Sequence, residues 1–234
     1  DFTGRLLVGV TPGLFFTGFA YRIDALKHYR SATPAQRAGH RLSTWLLEPW
    51  LAFYDEDFAL FTVLKRQAWP TRPGVPVRES VRKLSISDAD RNTRMWDKVE
   101  NDSEYQAMAK RIWSQVFTPL PPEAIPKAEQ TRDEQIAKAV AAVRKLRARG
   151  VEVVFVRAPS ADQLLEFERA ALPRESTWDV LLAKAGVPGI HFEDHPELQG
   201  YRIPEWSHLA ASEADRFTAA LYPMVERAFA SQAE

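Results

Sequence analysis

Cysteine is absent from this chain of 234 residues. Its absence excludes thiol nucleophiles, Cys-x-x-Cys redox chemistry, cysteine-ligated zinc and iron–sulfur clusters. It leaves the compartment open, because disulfide-free proteins occur in all of them. Net charge is also absent: 31 basic residues cancel 31 acidic ones. That balance argues against a nucleic-acid binder built on a broad phosphate-facing field. No apolar run approaches the roughly 20 residues that cross a bilayer, so no membrane span is expected in this chain. Internal repeats and low-complexity tracts are missing as well. The chain opens Asp1-Phe2-Thr3, with no initiating Met and no leader-like segment.

What remains is the composition of a globular protein, 45% hydrophobic and 26% charged. The length suits a single α/β domain over 1–234, large enough to hold a core without disulfide or metal staples. Arg5-Leu6-Leu7-Val8-Gly9-Val10 is a compact apolar run stopped by Thr11-Pro12-Gly13, which favours a buried strand. Residues 18–130 read as a mainly helical insertion. Within it, Thr33-Pro34-Ala35-Gln36 is a capping box with Pro at the first helical position. Trp45, Trp50, Phe53, Tyr54, Phe58 and Phe61 follow with helical spacing, which favours core packing over a sugar- or lipid-gripping surface. The prolines and glycine of 67–80 predict a loop, and Ser87-Asp88-Ala89-Asp90 predicts the start of another helix. Pro119, Pro121, Pro122 and Pro126 predict an extended connector.

The last hundred residues alternate more clearly. Thr131-Arg132-Asp133-Glu134 is a capping box, and Ile136, Val140, Val143 and Leu146 draw one apolar stripe up to Gly150. Val151–Val156 is a β-branched strand. Helices are expected around Leu164–Phe167 and Trp178–Leu182, the second ended by Gly186. Gly189–Phe192 reads as a short strand, and the final helix starts near Ser212. Strands alternating with helices predict a mostly parallel sheet covered on both faces, with right-handed crossovers.

In open parallel sheets ligands bind beyond the carboxyl ends of the strands. That rule selects Gly9 and Thr11, Arg157, Asp194, and the loop containing Glu205-Trp206-Ser207-His208. A carboxylate three residues before a histidine can fix the ring's tautomer, leaving the far nitrogen to take a proton from a hydroxyl. Glu205 and His208 are therefore the candidate catalytic pair, against the plainer reading of a capping histidine and a solvated carboxylate. Ser207 reads as a helix-entry residue. Arg157 is suited to a substrate carboxylate or phosphate, with a salt bridge to a crevice acid such as Asp194 as the favoured alternative. Thr11 is suited either to an oxyanion or to capping the next segment. His191 and His195, near Glu193 and Asp194, give a minority metal-site reading, and His191 is expected to pack in the sheet.

These features resemble the SGNH (GDSL-type) hydrolase superfamily, whose members carry a late Asp-x-x-His block just before the C-terminal helix. Here Glu205-Trp206-Ser207-His208 is similar to that block, with Glu in place of Asp. Gly9-Val10-Thr11-Pro12 is similar to the family's Gly-x-Asn-Asp block in its glycine alone. The resemblance covers the first strand and the chain after about residue 131. It implies a flavodoxin-like three-layer sandwich and an acyl-ester hydrolase or O-acyltransferase acting on carbohydrate esters. It also implies an extracytoplasmic setting, no cofactor and no metal. The family's nucleophilic serine, which belongs to an earlier block, has no counterpart here. Ser160 follows a strand but stands in the wrong order. Either the first strands and the nucleophile lie upstream of Asp1, or catalysis has been lost. The alternatives are a non-catalytic SGNH-like binding or assembly module, and a flavodoxin-like domain that binds an anionic small molecule through Arg157 and the strand ends.

Overall fold

The computed structural model describes residues 2–19, 23–51, 59–61, 64, 81, 83–87 and 92–232. The chain divides into two compact units, residues 1–19 with 79–234, and residues 20–78.

The first unit is α/β. β1 (Arg5–Gly9), β4 (Glu152–Arg157) and β5 (Gly189–His191) form a parallel sheet in the order β1-β4-β5. Leu7 stands opposite Val154 and Val156 opposite Ile190. All three strands fall where the apolar runs predict them, but β1 is not the buried strand expected: it lies at the edge of the sheet, with Arg5, Leu7 and Gly9 exposed and Leu6 and Val8 half-buried. β4 is apolar at consecutive positions because both of its faces are covered, as parallel strands require. Val153 and Phe155 join Leu6, Val8 and Val10 against one pair of helices, α6 (Ile125–Arg147) and α8 (Trp178–Ala185). Val154, Val156 and Ile190 face α9 (Ala211–Ala230) through Phe217, Met224, Val225 and Phe229. Between β4 and α8 runs α7 (Asp162–Ala171).

Three expectations are corrected here. α6 begins at Ile125, ahead of the Thr131 capping box, which lies inside the helix with Thr131 Oγ1 donating to the Lys127 carbonyl. Pro126 is the reason: in the first turn of a helix its missing N–H goes unneeded and its fixed φ suits the helix. Ser87 does not open a helix but ends a strand. β2 (Ser85–Ser87) pairs antiparallel with β3 (Thr93–Met95), and residues 88–91 lie outside the described residues. The helices of this region come after the hairpin, as α4 (Asp97–Asn101) and α5 (Ser103–Ser114). The third correction concerns the aromatic series in the second unit.

Gly186 ends α8 at φ +62°, a conformation open mainly to glycine, with its N–H returning to Leu182. Gly189 serves a different need. A Cβ there would sit 2.7 Å from Leu182 Cδ1 and Trp178 Cζ2, so β5 can approach α8 only without a side chain. Gly189→Ala is expected to destabilise the fold by about 1–3 kcal/mol through this overpacking, read from urea unfolding.

The second unit contains α2 (Ile23–Ser31) and α3 (Pro34–Leu46). The predicted capping box is present: Gln36 N–H donates to Thr33 Oγ1 at 3.2 Å, and Thr33 N–H donates to Gln36 Oε1 at 2.8 Å. The aromatic series does not pack as a core. Trp45, Trp50 and Phe61 are 79%, 82% and 76% exposed, and α3 has no buried residue. Of these three only Trp45 lies on α3, which ends at Leu46, while Trp50 stands in the turn beyond it, and among the described residues no apolar face covers them. Phe53, Tyr54, Phe58 and the predicted 67–80 loop lie outside the described residues. Among the described residues no helix is long and apolar enough to cross a membrane.

Candidate functional site

The segment 202–210 leads into α9 as a loop whose base is closed by Ala210 N–H donating to the Arg202 carbonyl at 2.9 Å. Ala161 N–H donates to the Trp206 carbonyl at 3.0 Å, tying this loop to the turn after β4. The loop therefore lies at the carboxyl ends of the strands, where the topology rule directs attention.

Trp206 adopts φ +75°, a left-handed conformation that non-glycine residues seldom take. Beyond this turn the N–H groups of Ser207 and His208 both donate to Glu205 Oε1, at 3.3 and 2.7 Å. His208 Nδ1 lies 3.0 Å from the same oxygen. The other oxygen, Oε2, accepts from Ser207 Oγ at 2.5 Å and from the indole N–H of Trp113 at 2.8 Å. Glu205 is completely buried, whereas the His208 side chain is 57% exposed.

Burial pushes the Glu205 carboxyl up, but hydrogen bonds from His208, Ser207 and Trp113 outweigh it and hold the group below its ordinary range. The hydrogen bond to Glu205 pushes His208 up, against the opposing effect of burial. The Ser207 hydroxyl spends its proton on Oε2, so Nδ1 is the donor toward Glu205, and Ser207 Oγ at 2.8 Å can only share that proton. In the neutral ring Nε2 then carries the lone pair. Nε2 makes no hydrogen bond among the described residues. A buried, fully satisfied carboxylate fixing the tautomer of an exposed imidazole is the arrangement a general base requires.

The other sequence candidates are placed differently. Gly9 is exposed in edge strand β1, and a Cβ there would meet nothing within 4 Å. Thr11 is exposed at the start of α1 (Pro12–Phe15) and makes no side-chain cap bond. Neither is hydrogen-bonded to the dyad among the described residues. Arg157 is buried, and its salt-bridge partner is Glu168 on α7, not Asp194. Nη2 donates to Glu168 Oε2 at 2.5 Å and to Ser160 Oγ at 2.8 Å, and Nη1 donates to the Ala158 carbonyl at 2.6 Å. Asp194 instead accepts two bonds from Arg174, at 2.6 and 2.7 Å, which hold its carboxyl below the usual range. It sits in a short 3₁₀ turn past the end of β5 and pairs there with Arg174. Ser160 is buried and donates to Glu168. His191 is buried in the sheet as expected. Among the described residues no group of three or more His, Asp or Glu side chains converges as a metal would need.

Two cavities lie near the strand ends. The smaller, about 40 Å³, is walled by Val10, Phe16, Arg157, Trp178 and His191. The larger, about 240 Å³, is lined by Pro159, Ser160, Arg169, Gln199, Tyr201 and Ile203, among others. Neither is lined by Glu205 or His208. The larger one flanks them, since its wall includes Ala161, bonded to Trp206, and Ile203, two residues before Glu205.

Trp113, Glu100 and Glu168 carry functional or structural weight that sequence reasoning missed. Trp113 reads there only as a large apolar residue of a helix, and its use as a donor across 92 residues has no local signature. Comparison with known proteins found no matching family model, no matching curated protein and no matching solved structure. Fold and site define an α/β protein with a buried-Glu, exposed-His dyad at the carboxyl end of a parallel sheet.

Proposed function

We propose that this chain is the dyad-bearing part of an SGNH-like acyl-ester hydrolase or O-acyltransferase, with a flavodoxin-like sandwich and carbohydrate esters as the substrate class. The observation that carries the reading is the 3.0 Å contact between Glu205 Oε1 and His208 Nδ1 beside an imidazole that is open to solvent. The substrate class and the finer fold rest on the resemblance in the late block alone.

In this reading a serine hydroxyl attacks the acyl carbonyl while His208 Nε2 takes its proton. Glu205 stabilises the imidazolium that forms. The resemblance gives the oxyanion to backbone amides near Gly9 or Thr11, of which the Val10 N–H is already bonded to the Val156 carbonyl. The tetrahedral intermediate collapses, and His208 returns the proton to the departing sugar oxygen. Water then releases the acid, or an acceptor hydroxyl takes the acyl group. Among the described residues no serine hydroxyl is bonded to Nε2. Ser160 is locked to Glu168, and Ser207 lies on the Nδ1 side. The reading therefore takes its nucleophile from outside the described residues.

A fluorophosphonate probe applied to the protein made from its complete reading frame tests this. Labelling of one serine, slowed about a thousandfold or more by His208→Ala, is the expected outcome. A folded protein that takes no label would replace this reading with the non-catalytic SGNH-like module.

A further inference from the structure

The helical pair α4 and α5 belongs to no part of the late block, yet it holds that block from two sides. At the loop's base, Arg202 donates to the Glu100 carbonyl at 2.9 Å and to its carboxylate at 2.6 Å. The same buried carboxylate accepts Ala211 N–H at 3.0 Å and Ser212 N–H at 3.3 Å. It thereby caps α9, whose own N-cap residue, Ala210, offers no side-chain bond. At the loop's tip, Trp113 near the end of α5 reaches Glu205.

We infer that Trp113 is a positioning residue. Its indole N–H pins Oε2 of Glu205 so that Oε1 remains on His208 Nδ1. The geometry requires some such device. A carboxylate has two equivalent oxygens and one soft torsion, and His208 bonds only one oxygen. The donors on Oε1 come from the loop itself and would follow any movement of it. On Oε2 one donor, Ser207, also belongs to the loop, and Trp113 is the donor anchored elsewhere. The indole also satisfies an oxygen that is completely buried and would otherwise rely on a single hydroxyl. Its purpose rests on the acyl-transfer reading of the dyad, though the contact itself does not. Charged groups against the loop among the described residues include Lys110, 5.4 Å over the Trp206 ring, and the Arg202–Glu100 pair at its base.

The test is ¹⁵N imidazole NMR of His208 in this chain, which reports both tautomer and titration without any activity. Glu205→Gln calibrates it by removing the carboxylate, and His208 should then titrate near its ordinary value of about 6.5 with a mixed tautomer. Trp113→Phe, which keeps an aromatic ring and deletes the donor, is expected to move His208 most of the way toward that behaviour. In the full-length protein it should slow fluorophosphonate labelling about tenfold or more. Benzothienylalanine at position 113 deletes the N–H with the shape kept, so it covers the case in which the phenylalanine variant does not fold. Gly189→Ala, destabilising but remote, should leave the His208 signals unchanged. A wild-type tautomer and titration in a folded protein lacking the indole N–H would overturn the positioning role. If Glu205→Gln itself left His208 unmoved, the dyad reading would fall instead.

Discussion

Glu168→Ala is expected to cost about 3–5 kcal/mol of unfolding free energy, a large share of what a domain of this size possesses. Arg157 ends the best-covered strand, and both it and Glu168 are buried, with only 7% of each side chain exposed. One carboxylate oxygen of Glu168 accepts from Arg157 and from Ser160, each at 2.5 Å. Burial pushes the guanidinium's proton affinity down, opposed by Glu168, yet an arginine gives up its proton too reluctantly to escape as a neutral group. Removing the carboxylate therefore strands a positive charge, and the loss exceeds anything expected of an exposed pair such as Arg169–Glu193. The companion experiment separates the cost of stranding from the worth of the pair. Replacing both partners, Arg157→Met with Glu168→Leu, should bring stability back to within about 1 kcal/mol of wild type or above it. Urea denaturation of Arg157→Met, Glu168→Leu and the double variant closes the cycle, with Glu168→Ala read beside it. A Glu168→Ala variant that lost less than about 1 kcal/mol would mean that water reaches Arg157, and the ligand role once open to that residue would return.

This pair also shows where local reading stops. The strands at 5–9, 152–157 and 189–191 were legible as short apolar runs, and a run is a local property, although only β4 owes its run to burial on both faces while β1 alternates exposed and half-buried residues. Gly186 was legible for the same reason, since the end of a helix is decided within a few residues. The hairpin at 85–95 was not, because strands of three residues are too short to show alternation. Glu168 was hidden in a helix whose apolar positions, Leu164, Leu165 and Phe167, accounted for its pattern without any charge on the buried side. The candidate dyad was visible as a spacing of three within one loop. Its supports were not, since Glu100 and Arg202 are 102 residues apart and meet only in the fold. The exposed stripe of the second unit is the converse case. Spacing shows that Leu42, Trp45 and Leu46 share a face, but what faces them is a tertiary fact.

Acidification should weaken the fold through His191, and the direction follows from its surroundings. The ring is buried at the end of β5, edge-on to Trp178 at 5.3 Å and stacked on Phe192 at 5.3 Å. Its Nδ1 accepts the Glu193 N–H at 3.3 Å, so it is held as a neutral acceptor. Burial pushes it from 6.5 down to about 4, with Arg174 and Arg157 adding to the fall and Glu193 and Asp194 opposing it. In the unfolded chain the same ring protonates near 6.5. Above that pH both states are neutral and the histidine is silent. Between about 6.5 and 4 only the unfolded state takes the proton, so stability drops as pH falls, by up to about 1.4 kcal/mol per pH unit. Below about 4 the loss levels off. The full interval sets a ceiling near 3 kcal/mol, and about 2 is expected once water at the ring's edge is allowed for. His208 runs the other way, its raised affinity adding stability at low pH and losing it as pH climbs through its folded value. His191→Asn isolates the first effect, because Asn can keep the capping acceptor for Glu193 while removing the titration. Carboxylates and the Glu205–His208 pair contribute equally to both proteins and cancel in the difference. That difference, measured by urea unfolding at a series of pH values, should narrow steadily from pH 6.5 to 4 as the wild type loses its advantage. A difference that stayed flat across this range would mean that the folded protein accepts the proton on His191 as readily as the unfolded chain does.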